Sequence, residues 1–277
     1  MKKISIVMAF VAFSAMSAFA ADIPVRPYAK SPIVAPVYGW SGFYIGGNVG
    51  GVSQDASGSS NFFQQGANAN NVQGQSLSQS SIIGGFHGGY NWQFAPSFVL
   101  GIEADAQWMN TNSGFCRQTD ALSLACADNG RGFMTVTNDT NWLSTVRGRL
   151  GWTFDRLMIY GTGGVAFGEV ETSISLNCSV NGCGNQPGPF ATSGSFSSIN
   201  TGWVAGGGIE WMFASNWLLR AEYLHADLGT VAAALNLPAA NCAAGGPCGG
   251  TFSRAMVYDI GRVGLSYKFG GPVVARF

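Results

Sequence analysis

Eight ionisable side chains are the first candidates for chemistry in this chain. Glu103, Asp105, Glu210 and Glu222 stand against Arg147, Arg149, Arg220 and Arg262, with Lys268 close behind, and all lie in stretches with a two-residue repeat. Carboxylates and guanidiniums facing one another pair, because the planar guanidinium fork can hold a carboxylate through two parallel hydrogen bonds. Counting back from Ala95-Pro96-Ser97 sets His87 opposite Asp105, a contact that invites an acid–base reading. No nucleophile stands in a recognisable motif, so a structural hydrogen bond is the expected role of His87. His225, at the end of its strand, is a candidate ligand contact, with a structural role favoured because no axial-ligand motif accompanies it. The six cysteines fall into local couples, Cys116 with Cys126, Cys178 with Cys183 and Cys242 with Cys248, each expected in its own inter-strand segment. Local disulfides in an oxidising compartment are the favoured reading. Zinc ligation is the rival, weakened because no His or carboxylate stands at ligand spacing.

The elements that position these groups are strands. From Ile82 to Phe94 every second residue is apolar, aromatic or Gly, and a second such set runs from Phe98 to Trp108. Between them stand His87, Asn91, Gln93, Glu103, Asp105 and Gln107, which gives each strand one greasy and one wet face. Strands of soluble domains run about 5–6 residues. These are about twice that, the length of a tilted strand crossing a hydrocarbon core. The same alternation returns around Val146–Phe154, Leu157–Phe167, Ile199–Phe213, Trp217–Tyr223 and Val263–Phe269, with Trp40–Val49 first in order. Asp155-Arg156 and Ala214-Ser215-Asn216 read as tight turns, whereas 54–79 and 109–139 read as long loops. About eight strands result. In strict register Asp259 faces outward, which calls for a bulge or a place above the apolar band. The runs Gly46-Gly47 and Gly206-Gly207-Gly208 sit inside strands with no helix after them, so they are not phosphate loops.

Composition agrees. The chain has 277 residues, zero formal net charge and 10% charged residues, against about 25% in ordinary soluble domains. No charge excess points to nucleic acid as a partner. Residues 1–20 carry Lys2 and Lys3, an apolar stretch from Ile4 to Ala15 and the small-x-small run Ala18-Phe19-Ala20, a signal peptide cleaved after Ala20. Residues 21–39 contain Pro24, Pro27, Pro32 and Pro36 and read as an extended periplasmic segment. The barrel is expected over 40–269, with a C-terminal tail at 270–277. The fold class is therefore all-β, a transmembrane up-and-down antiparallel β-barrel with short periplasmic turns and long extracellular loops.

Three segments carry a family resemblance. Trp40-Ser41-Gly42-Phe43-Tyr44-Ile45-Gly46 resembles the start of the OmpA/OmpX-like eight-stranded outer-membrane barrels. With Ala21-Asp22-Ile23-Pro24-Val25-Arg26 and the ending Arg262 to Phe269, the chain is similar to the alphaproteobacterial immunogenic outer-membrane proteins, a porin-like branch related to the opacity surface antigens. The ending also resembles the signal read by the barrel-assembly machinery, with Arg262, Gly264, Tyr267 and Phe269 in the recognised places and Phe277 as an alternative terminus. The resemblance implies outer-membrane lipid and lipopolysaccharide as surroundings and raises haem capture as a theme for His225. An eight-stranded barrel is only wide enough for its own side chains to fill it. The expectation is a salt-bridged plug in a structural, surface-exposed barrel that contributes to envelope integrity. A narrow small-solute porin and a haem- or host-ligand receptor are the alternatives, and no cofactor and no catalytic residue is assigned.

Overall fold

The period-two stretches fold as long antiparallel strands. The computed structural model describes residues 38–55, 58–64, 67–73, 79–118, 133–178, 189–237 and 248–270, all within the unit Pro36–Phe277. The leader, most of the Pro-rich segment, Phe277 and Cys126, Cys183 and Cys242 lie outside them. Among the described residues the strands are β1 (Gly42–Asp55), β2 (Gly58–Gln64), β3 (Ala67–Gln73), β4 (Gln79–Ala95), β5 (Phe98–Gln118), β6 (Phe133–Phe154), β7 (Leu157–Cys178), β8 (Phe190–Ala214), β9 (Trp217–Leu237) and β10 (Cys248–Lys268).

Eight of them close a ring. The order β1-β4-β5-β6-β7-β8-β9-β10 is completed by pairing of β1 with β10, every pair antiparallel. Closure matters because a backbone N–H or C=O facing lipid finds no water to bond, and a ring leaves no open edge. Tight turns join β4 to β5, β6 to β7 and β8 to β9. Asp155 takes a left-handed φ of 52° in the second of these, a conformation that Asp tolerates better than most residues.

Two expectations about loops are corrected. Residues 54–79 are not all loop: β2 pairs with the first residues of β10 from Gly58↔Arg254 to Phe63↔Gly249, just beyond the last β1 partner, Asp55↔Val257. β2 thus continues β1 along the edge of β10, and β3 folds back on it. The Ser- and Asn-rich composition hid this, because backbone bonds cover an edge whatever the side chains are. Residues 109–139 are likewise shortened from both sides, since β5 reaches Gln118 and β6 begins at Phe133. The same extension puts one cysteine of each couple into a strand, Cys116 in β5, Cys178 at the end of β7 and Cys248 at the start of β10. The disulfides themselves fall outside the described residues.

The outer face is apolar. Ile82 is 75% exposed, Phe86 68% and Ile102 58%, and the outward aromatic side chains gather in two belts. The lower belt, beside the turns, includes Phe98, Trp152, Trp217 and Tyr267, and the upper includes Phe86, Trp108 and Trp203. Trp108 stands ten residues beyond Phe98 along β5. At about 3.4 Å per residue and a tilt of about 40° that is about 25 Å of height, the apolar band of an outer-membrane barrel.

The interior is layered, which the two-face reading did not anticipate. Beside the turns, Trp40, Val99, Met158, Met212 and Leu218 pack with Tyr160. Toward the loops lies a larger apolar layer that includes Ile83, Met109, Leu143, Val204, Leu224 and Tyr258. The ionisable side chains occupy the zone between.

Candidate functional site

The charged zone is assembled from strands all around the ring. β5 supplies Glu103 and Asp105, β6 Arg147 and Arg149, β8 Glu210, β9 Arg220 and Glu222, and β10 Arg262. Each of these eight side chains is at most 2% exposed. Four carboxylates meet four guanidiniums, so the set is neutral (4 − 4 = 0) if all are ionised. An unpaired ion in such a place is costly, and full compensation removes that cost.

Arg147 is the hub. Its Nη2 donates to Glu103 Oε1 at 2.5 Å and to Asp105 Oδ2 at 2.9 Å, while Nη1 donates to Glu222 Oε1 at 2.9 Å. Its Nε donates to Thr145 Oγ1 at 2.9 Å. Arg262 donates through Nε to Glu222 Oε2 at 2.7 Å and through Nη2 to Asp105 Oδ2 at 2.9 Å. Arg220 Nη1 donates to Glu103 Oε1 at 2.9 Å. Glu210 lies 2.9 Å from Arg149 Nη2 and 3.6 Å from Arg220 Nε, close charge contacts without the alignment of a hydrogen bond. Among the described residues two more buried cations stand outside these ion pairs, Lys268 toward the turns and Arg254 toward the loops.

Two tyrosines that were not singled out belong to the network. Tyr44 Oη donates to Glu103 Oε2 at 2.6 Å and accepts from Arg149 Nη1 at 2.9 Å. Tyr160 Oη donates to Glu222 Oε1 at 2.9 Å, and its ring lies 4.0 Å beneath the Arg149 guanidinium, within cation–π range. Each tyrosine has a glycine as its cross-strand partner, Tyr44↔Gly89 and Tyr160↔Gly208. A Cβ at Gly89 would sit 2.5 Å from Tyr44 Oη, and one at Gly208 2.8 Å from Tyr160 Oη. A large inward residue opposite a glycine was the available signal.

The histidines part company. His87 is the register partner of Asp105, yet its bonds go elsewhere: Nε2 lies 2.7 Å from Ser266 Oγ and Nδ1 3.2 Å from Asn48 Nδ2. Its partners are hydroxyl and amide, a structural arrangement. His225 is not at a strand end, since β9 continues to Leu237. It faces outward, with Nδ1 2.8 Å from Asp259 Oδ1 and its ring 5.4 Å from that of Trp203. Asp259 also accepts from Tyr223 Oη at 2.5 Å. A register slip does occur in β10, between Ala255 and Val257, but loopward of Asp259, so the carboxylate stays outside. Of the carboxy-terminal positions, Arg262 and Gly264 point inward, whereas Tyr267 and Phe269 stand in the lower belt with rings 5.2 Å apart.

A closed antiparallel ring with an apolar exterior and compensated charges inside defines a small transmembrane β-barrel. The chain belongs to the outer membrane protein beta-barrel domain family, whose profile matches residues 5–269. It is 32% identical over 270 residues to the 31 kDa outer-membrane immunogenic protein of Brucella melitensis biotype 1, covering 96% of this chain and 99% of that protein. It is 27% identical over 263 residues to the 25 kDa outer-membrane immunogenic protein of the same organism, covering 94% of each. Among solved structures it is similar to the outer membrane protein OprG from Pseudomonas aeruginosa, with a TM-score of 0.46 at 15% identity over 83% of this chain and 97% of that one. The protein is therefore an outer-membrane barrel.

Proposed function

We propose that this barrel is a structural, surface-exposed component of the outer membrane whose lumen is shut, and that it acts by stabilising the envelope and presenting its outer loops rather than by catalysis or solute passage. The observation that carries this reading is the contact of Arg147 with carboxylates from both sides of the lumen, Glu103 and Asp105 on β5 and Glu222 on β9. A water-filled pore would separate such groups, whereas here they are nine-tenths or more buried between two apolar layers. Tryptophan at position 40 supports the same reading, because it is 1% exposed and packs under the barrel at the turn end. The names of the two Brucella relatives describe them as immunogenic, which fits loops displayed outside the cell.

The test is osmotic swelling of liposomes reconstituted with the full chain, in sugars of increasing size. The sealed barrel leaves swelling at the level of protein-free liposomes. Size-dependent swelling would instead support a narrow porin.

A further inference from the structure

Above the upper belt the wall of the barrel parts between β8 and β9. The two strands pair from Ala214↔Trp217 as far as Trp203↔Asp227 and no further. Beyond that point β8 runs on to Phe190 paired with β7, and β9 runs on to Leu237 paired with β10. A bulge turns β9 aside. Leu228 and Gly229 stand against the single residue Met256, Gly229 takes a φ of 76°, and its N–H donates to Asp227 Oδ1 at 2.8 Å. An extra residue of this kind bends its strand. Among the described residues no strand pairs with the edge of β8 that is freed over residues 191–202. It is open on both faces, with outward Ile199 66% exposed and inward Phe196 44%. Natural edges are usually blunted by Lys, Pro or a covering segment. Residues 190–203 contain no Pro and no charge.

The outer face beside that edge is acidic. Glu169 and Glu171 on β7 lie across from Ile199 and Ser197 of β8, and Asp139 on β6 lies across from Glu171. Glu169 accepts from Trp142 Nε1 at 3.1 Å and from Ser197 Oγ at 2.8 Å. Glu171 and Asp139 are directly opposed like charges, an arrangement that costs stability, and neither makes an ion pair among the described residues. The barrel brings no cation to them. Among the described side chains, five arginines and Lys268 are buried inside, and Arg156 lies beside the turns. Ser195 and Ser197, the outward residues of β8 next to this row, are small enough for a long side chain to lie over them.

An exposed strand edge recruits an extended chain through backbone hydrogen bonds, and side chains at alternate positions then select the partner. We propose that the free edge of β8 takes a basic, extended peptide segment of a partner protein as an added antiparallel strand, its Lys or Arg at every second position reaching over Ser195 and Ser197 to Glu171 and Asp139. A second copy of this chain would bring the same carboxylates to the contact and is repelled. The site lies on β6, β7 and β8 above the upper belt, so it stands or falls separately from the closed lumen.

The test uses the full chain refolded in detergent and a fluorescent peptide of alternating Lys and Thr, matched in length to residues 191–202, with binding read by fluorescence anisotropy. The peptide should bind the wild type, and more weakly as salt rises. Two further peptides separate backbone pairing from charge: one of alternating Glu and Thr, and the Lys–Thr peptide with its backbone nitrogens methylated. Each should bind more weakly by about tenfold or more. Asp139→Asn/Glu171→Gln should weaken the Lys–Thr peptide by a similar factor, with heat-modifiable migration unchanged. Ser197→Lys sets a cation beside the acidic row and serves if the double variant does not fold. Equal binding of the methylated and unmethylated peptides, or unchanged binding by a folded variant, overturns the proposal. So does a wild type that binds no peptide, whether or not dimers of the chain form in its place.

Discussion

Arg147 and Glu222 meet at 2.9 Å, Nη1 to Oε1, although two strands stand between theirs in the ring. No backbone ladder brings them together, so the contact exists only because the lumen is narrow enough for side chains to cross it. Removing one partner leaves an uncompensated buried charge, whereas removing both leaves an apolar filling. Arg147→Met should therefore cost about 3–5 kcal/mol in urea unfolding from lipid vesicles. The double variant Arg147→Met/Glu222→Met should lie closer to wild type than the single variant does.

The glycines beneath the tyrosines give a second prediction. Gly208→Ala places a methyl 2.5 Å from the Ala221 carbonyl oxygen and 2.8 Å from Tyr160 Oη. Overpacking of this kind costs about 1–3 kcal/mol. The drop should be read as a lower temperature for loss of the folded band in heat-modifiable gels. Alanine at Gly161, where an added Cβ meets nothing within 4 Å, should leave that temperature unchanged.

Trp40 gives a third. It packs with Val99, Met158, Met212 and Leu218, and its backbone N–H donates to Gln93 Oε1 at 3.0 Å. Trp40→Ala should destabilise by about 3–5 kcal/mol, the usual cost of truncating a buried aromatic. Denaturant titration of the refolded barrel measures it directly.

The β2–β3 hairpin gives a fourth. It pairs with β10 only from Gly249 to Arg254, above the last contact of β1. Replacing residues 58–73 with a short flexible linker should leave membrane insertion and heat-modifiable migration intact. Loss of insertion would show that the hairpin helps to close the ring.

The exterior was legible because alternation is a strict signal. Phe98, Leu100, Ile102 and Trp108 point outward as their spacing requires, since in a strand a neighbour two residues away must share its face. Register was legible wherever a tight turn fixed the count, so Glu210 falls opposite Arg220 and His87 opposite Asp105. The interior was harder to read. Met158, Met212 and Leu218 each follow or precede an outward apolar residue, and the alternation rule files such pairs as noise. They are in fact the apolar layer beside the turns, where a filled lumen needs hydrocarbon. His87 was read against its register partner, yet its ring reaches Ser266 and Asn48. Cross-strand counting fixes Cα neighbours and leaves side-chain direction open. The β2–β3 hairpin was invisible for a different reason: its Ser- and Asn-rich sequence carries no period-two alternation, and backbone pairing with β10 needs none.

A lumen filled by paired charges and two apolar layers should not conduct, and planar-bilayer recording of the purified full chain decides it. The wild type should give a baseline without sustained conductance steps, with steps appearing only when the network is broken, as in Arg147→Ala/Glu222→Ala. Large, sustained steps from the wild type would mean that the lumen is open.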